Sequence, residues 1–188
     1  MLTIAAYDRH VEQLFDVLSR LTRAFAPAGI DYRVVGGVAV FLHVHARDPL
    51  AARATRDVDV VIDRTRLAAI AEAVRPFGFE YRHAAGVDML VDARHPRARS
   101  AVHLLFVREK VRPDYPEPVP DFSPPVRTAE GLLLAPVADL VRMKLTSFRL
   151  KDRVHVKDLD AVGLVTPDVE AALSPVLRER LREVRATE

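Results

Sequence analysis

Asp31-Tyr-Arg-Val-Val-Gly-Gly-Val-Ala-Val-Phe-Leu-His-Val-His45, followed after a polar loop by Arg53-Ala-Thr-Arg-Asp-Val-Asp-Val-Val-Ile62, decides the fold. Asp31–Val35 is short, β-branched at its end, and reads as a strand. Gly36-Gly37 interrupts it, and Val38–His45 has the apolar content of a mostly buried helix. The loop 46–55 is polar, and Asp57–Ile62 is again a strand. Side chains alternate along a strand, so Asp57 and Asp59, two apart, point to one face. Two carboxylates that close repel unless a cation lies between them or water bathes them. A solvated strand edge is the plain reading of that pair alone. The glycine pair changes the balance. Glycine lets a phosphate approach the backbone, and a helix start offers free N–H groups and a positive dipole end. Together these two elements suit a polyphosphate and a metal ion.

Outward from this stretch, residues 8–27 space Val11, Leu14, Phe15, Leu18, Leu21 and Phe25 as an amphipathic helix, stopped by Pro27 and Gly29. Asp63 opens a helix over Arg64–Arg75, ended by Pro76 and Gly78. Phe79–His83, Val87–Val91 and Ala101–Val107 are strand candidates, with a basic turn over Asp92–Ser100. Six prolines in 111–125 leave an extended strap with no regular element. Val126–Leu134 is a further strand interrupted by a turn at Glu130-Gly131. Helices follow over Val137–Phe148, near Val156–Val162, and over Asp168–Val184. The alternation predicts an α/β (α+β) fold: a small mixed β-sheet core flanked by helices over 1–134, and a C-terminal helical extension over 135–188.

The chain has 188 residues, a net charge of +2 and no cysteine. Disulfides, thiol nucleophiles and zinc–thiolate sites are thereby excluded. A metal must use carboxylates, carbonyls or imidazoles, which for carboxylates favours Mg²⁺ or Mn²⁺. No apolar run is long enough to span a bilayer, and charges interrupt the N-terminus too early for a signal-peptide core, so no membrane and a cytoplasmic location are expected. The charge is uneven: Arg142, Lys144, Arg149, Lys151, Arg153 and Lys157 face only Asp152 within 142–157. That reads as a solvated helix face or as a phosphate-facing patch.

Val34-Val-Gly-Gly-Val-Ala39 and Arg53-Ala-Thr-Arg-Asp-Val-Asp59 resemble the signature of the DNA polymerase β-like nucleotidyltransferase superfamily. The Arg-x-Thr-x-Asp-x-Asp form is most similar to the AbiEii-type branch of abortive-infection and toxin–antitoxin nucleotidyltransferases. The likeness is close over 31–62. It is looser at Leu140-Val-Arg-Met-Lys-Leu145, at Arg149–Arg153 and at Lys157-Asp158. It implies transfer of a nucleotide from a nucleoside triphosphate (NTP) to a hydroxyl, with two Mg²⁺ ions aligning the reactants. By this resemblance Asp57 and Asp59 are metal ligands, and Gly36 and Gly37 cradle the β- and γ-phosphates. Lys144 meets phosphate and Asp158 belongs to a basic–acidic pair. Arg53 and Thr55 orient the loop or meet the triphosphate. The acceptor implied is RNA (a tRNA end in this branch), a protein hydroxyl or a small molecule. An antitoxin-like protein partner is implied as well.

The superfamily often carries a third carboxylate on a neighbouring strand. Here that strand, Ala101–Val107, offers His103, which can serve as a base, as a metal ligand, or as a hydrogen-bonded core histidine. Asp88 is the alternative acid if the strand order differs. The substitution leaves two readings open: an active nucleotidyltransferase, and a catalytically impaired relative that binds nucleotide or a partner. His43 and His45, two apart on a helix, point in different directions and do not share a metal. His83, His95 and His155 carry no pattern.

Overall fold

A computed structural model describes residues 4–53, 55, 57–94 and 101–187, with side chains from residue 12 onward. In chain order the elements are α1 (Ile4–Phe25), β1 (Arg33–Val35), α2 (Gly36–Arg47), β2 (Val58–Ile62), α3 (Leu67–Val74), β3 (Phe79–Ala84), β4 (Val87–Asp92), β5 (Val102–Phe106), β6 (Val126–Arg127), β7 (Leu133–Leu134), α4 (Val137–Ser147), α5 (Leu150–Ala161), α6 (Pro167–Ala171) and α7 (Pro175–Ala186). The strands form one mixed sheet in the order β3-β4-β5-β2-β1-β7-β6. β1 runs antiparallel to β2 and parallel to β7, and β2 runs parallel to β5. The expected mixed sheet flanked by helices, with a helical C-terminal extension, is therefore present.

Cross-strand register assigns the faces. Val60 pairs with Leu104, and Leu104 with Asp88. Phe79 pairs with Asp92. Residues opposite one another share a face, and this face lies under α1. Arg20 of α1 sits over the Phe79 ring at 4.4 Å and pairs with the buried Asp92. The opposite face carries Asp59, His103 and Met89 in one cross-strand row. It lies under α2, which packs against β1 and β2 and in turn against α4 and α5. The core is continuous across the sheet, with Phe25, Ile62, Ile70, Leu90, Leu140 and Leu145 fully enclosed. Each such side chain contributes about 1.5–3 kcal/mol by leaving water.

Several boundaries differ from the sequence reading. The glycine pair does not precede the second helix but forms its first two residues. Gly36 adopts a left-handed φ of +70°, so strand becomes helix with no intervening loop. Asp57 stands just before β2 rather than within it. The helix expected over Arg64–Arg75 is a 3₁₀ turn, Arg64–Arg66, leading into α3, with Asp63 accepting from the Thr65 N–H at 2.9 Å as its cap. The strand expected over Val126–Leu134 is a hairpin of two short strands, and β7 reaches the sheet beside β1. The last helix is broken in two, because Ser174 caps and Pro175 starts a fresh helix. The basic turn expected over Asp92–Ser100 lies, from residue 95 on, outside the described residues, His95 included. Among the described residues no helix is long and apolar enough to cross a membrane.

Candidate active site

Gly36 and Asp59 meet. A Cβ placed on Gly36 would lie 2.0 Å from Asp59 Oδ2, so only glycine leaves space for that carboxylate against the helix start. Val35, which precedes the helix, makes no side-chain cap hydrogen bond to it. Gly37 is equally constrained. A Cβ there would lie 2.5 Å from Thr55 Oγ1 and 3.3 Å from His155 Cε1. The turn is thus closed by Thr55 on one side and by α5 on the other.

A cleft of about 590 Å³ opens from this point, lined by Gly36, Asp59, His103, Lys144, Ser147 and Arg149 at one end. The strap 109–119 and the β3–β4 turn form its far end, with Arg64, Gly86, Asp88 and Glu109. His103 Nδ1 lies 3.1 Å from Asp59 Oδ1, with both side chains part-buried. The hydrogen bond to Asp59 raises the imidazole above its ordinary pKa; burial opposes this, and the charges of Asp59 and Asp57 add to it. Asp57 is about half exposed, its Oδ2 3.6 Å from Lys151 Nζ.

The helical wall is built around Asp152, which is fully buried. It accepts from Lys144 Nζ at 3.0 Å, Ser147 Oγ at 2.8 Å and Arg149 Nε at 2.7 Å. Burial pushes its pKa up. The Arg149 hydrogen bond, the Lys144 charge and the Ser147 hydroxyl outweigh that and bring it to about 2. Lys144 is itself buried, so its ammonium is held in place by this one carboxylate. His155, against Gly37, is pushed down to about 4 by burial and then by the Lys144 charge.

The structure brings Gly36, Asp59, His103 and Lys144 to one cleft; Asp57 and Lys151 do not line it, but the charges of both are felt by His103. It places Thr55 against Gly37. Arg53 and Asp158 pair with each other, Arg53 Nε to Asp158 Oδ1 at 3.0 Å, tying the loop before β2 to α5. Asp158 is not among the residues lining the cleft. Asp88 stands on the opposite sheet face from Asp59, in register with Leu104, and is engaged by Tyr81 and His83. His43 Nε2 lies 2.9 Å from the Ala135 carbonyl, and His45 stacks on Phe41. Sequence reasoning missed Asp152, Ser147, Arg149 and Lys151 as a group. The available signal was Asp152 itself, the lone acid in a basic stretch, which is what a buried counter-ion looks like.

Among the described residues no three His, Cys, Asp or Glu side chains cluster as a metal site. The donor set nonetheless fits one kind of ion. Mg²⁺ is commonly held by one or two carboxylates together with substrate phosphates and water. Asp59, against the helix start, and Asp57, two residues before Asp59 in the chain, would supply that number.

No family model matches the chain, and no curated protein matches it. Among solved structures it is similar to an antigenic nucleotidyltransferase-like protein from Paracoccidioides brasiliensis. That likeness has a TM-score of 0.61 and 22% identity over 92% of this chain and 87% of that one. It is also similar to ANT(2")-Ia, solved in complex with adenylyl-2"-tobramycin, with a TM-score of 0.53 and 13% identity over 90% of this chain and 97% of that one. At these identities the likeness is one of fold. The fold is that of the nucleotidyltransferases.

Proposed function

We propose that this chain is a Mg²⁺- or Mn²⁺-dependent nucleotidyltransferase that moves a nucleotide from an NTP to a hydroxyl acceptor. The observation that carries the reading is the contact of Asp59 with Gly36, where a carboxylate and a helix start share a single point of the cleft. Asp57 and Asp59 would hold a divalent ion, whose charge would offset that of the triphosphate. The first-turn N–H groups of Gly36 and Gly37 bind phosphate oxygens. Lys144 and Arg149, on the facing wall, add positive charge to the same space. The acceptor hydroxyl gives up its proton to solvent as its oxygen attacks the α-phosphorus, the bond from that phosphorus to the bridging oxygen breaks, and pyrophosphate leaves. Residues 1–134 form the core on this reading, and 135–188 supply the cationic wall.

The test is label transfer. The protein is incubated with each α-labelled NTP and Mg²⁺, and with total RNA, an aminoglycoside or the protein itself as acceptor. These cover the acceptors implied by the AbiEii-type resemblance and the acceptor seen with ANT(2")-Ia. Transfer to one of them, lost in Asp57→Ala, supports the proposal. Failure to bind any NTP sinks it. An antitoxin-like partner would be read from inhibition of that transfer.

One observation favours a second reading, a nucleotide-binding relative with impaired catalysis. His103 stands in the cross-strand slot beside Asp59 and is hydrogen-bonded to it, and a raised pKa makes its neutral, base-competent form scarcer. NTP binding without transfer, with transfer appearing in His103→Asp, would select that reading.

A further inference from the structure

The side chains of the site are by themselves close to electrical balance. Asp57, Asp59 and Asp152 are faced by Lys144, Arg149 and Lys151, before any charge on His103 is counted. Lys144 and Arg149 are both committed to Asp152. Lys151 differs. Its ammonium lies 3.6 Å from Asp57 Oδ2, with side chains 56% and 45% exposed. Among the described residues neither member joins another ion pair. A lysine head on a four-carbon stem, this exposed, is free to exchange partners. A divalent ion arriving alone would add two charges to a balanced cleft and crowd Lys151. The same ion arriving with a triphosphate brings its own compensation and a new partner for the lysine.

We propose that Lys151 couples metal binding to nucleotide binding: it pairs with Asp57 in the ligand-free protein and turns to the triphosphate when an NTP arrives. Divalent ions therefore bind well with nucleotide and poorly alone. The inference rests on the function proposed above and adds a positioning residue with a defined switch of partner. Lys144 is unsuited to the part, since it is buried and held by Asp152.

The experiment is a Mn²⁺ titration of the full chain, followed by the electron paramagnetic resonance signal of free Mn²⁺, alone and with each of the four α,β-methylene NTPs. In the unaltered protein one nucleotide tightens Mn²⁺ binding by about tenfold or more. Lys151→Gln binds Mn²⁺ alone about threefold more tightly and binds the nucleotide about threefold more weakly, in keeping with a solvent-exposed ion pair. Lys151→Arg behaves as the parent. Melting curves of the two variants match the parent, which separates the effect from misfolding. Unchanged Mn²⁺ affinity in Lys151→Gln, with weaker Mn²⁺–nucleotide binding in Asp57→Asn, overturns the inference and leaves the nucleotidyltransferase reading standing. No effect of Asp57→Asn and Asp59→Asn on Mn²⁺–nucleotide binding overturns that reading, and this inference with it.

Discussion

The two walls of the cleft are held in place by different means. On the sheet wall, position comes from the main chain. Asp59 is set by its register with Val35 and His103, and the space for its carboxylate is left by a glycine. On the helical wall, position comes from one side chain. Asp152 gathers Lys144 and Ser147 from α4 and Arg149 from the start of α5, and so ties the two helices at one buried point. A wall fixed by hydrogen-bonded strands survives loss of a carboxylate with its geometry intact. A wall fixed by a buried ion loses stability and geometry together.

Substitutions should separate the two. Asp59→Ala should lower nucleotidyl transfer on the order of a thousandfold, about 4 kcal/mol in the barrier, with little change in melting temperature. Activity assays beside calorimetry check this, and a large stability loss would contradict the picture of a main-chain-set wall. Asp152→Ala should cost about 3–5 kcal/mol of folding stability, because it strands the buried Lys144 ammonium. Denaturant unfolding would measure it, and a loss under about 1 kcal/mol would show that Lys144 finds water instead.

Gly36→Ala should cost about 1–3 kcal/mol through the left-handed backbone alone. It should also weaken Mn²⁺–nucleotide binding, since the new methyl occupies the place of Asp59 Oδ2. Stability loss with binding intact would mean that Asp59 has another place to go.

A further effect expected is one of pH. His155 stays neutral in the fold down to about 4, whereas an unfolded histidine protonates near 6.5. The depressed folded value means its contribution to stability is complete above 6.5 and drains away as pH falls toward 4. Melting curves of the parent against His155→Gln across that window should converge as the solution becomes more acid.

The sheet wall was legible in the sequence and the helical wall was not. Val34–Ala39 and Arg53–Asp59 are local patterns: a period of two puts the carboxylates on one face, and glycine at a strand–helix junction marks a close approach. Even there the boundary moved, because only the structure shows Gly36 and Gly37 inside the helix and Asp57 outside the strand. Lys144 was singled out, but Asp152, eight residues on, passed as one acid in a solvated patch. Whether a charge is buried depends on what packs over it, and that is settled by α2, α4 and α5 together. Asp158 was drawn to the site by a dipeptide pattern, and the structure gives it Arg53 as partner. Apolar spacing runs on from Asp168 to Val184 through Ser174-Pro175, a start signal inside a helical pattern, and so hides the break between α6 and α7.

Alternation of side chains along a strand and the backbone freedom of glycine are properties of neighbouring residues, so the sequence alone determined the mixed α/β fold and the glycine at a strand–helix junction. Strand order and helix packing join residues far apart in the chain. They alone decided that His103 rather than Asp88 stands beside Asp59, that Lys144 is caged by Asp152, and that Lys151 reaches Asp57. Charges act through space and through the dielectric around them, and neither distance nor burial is written in the order of the residues.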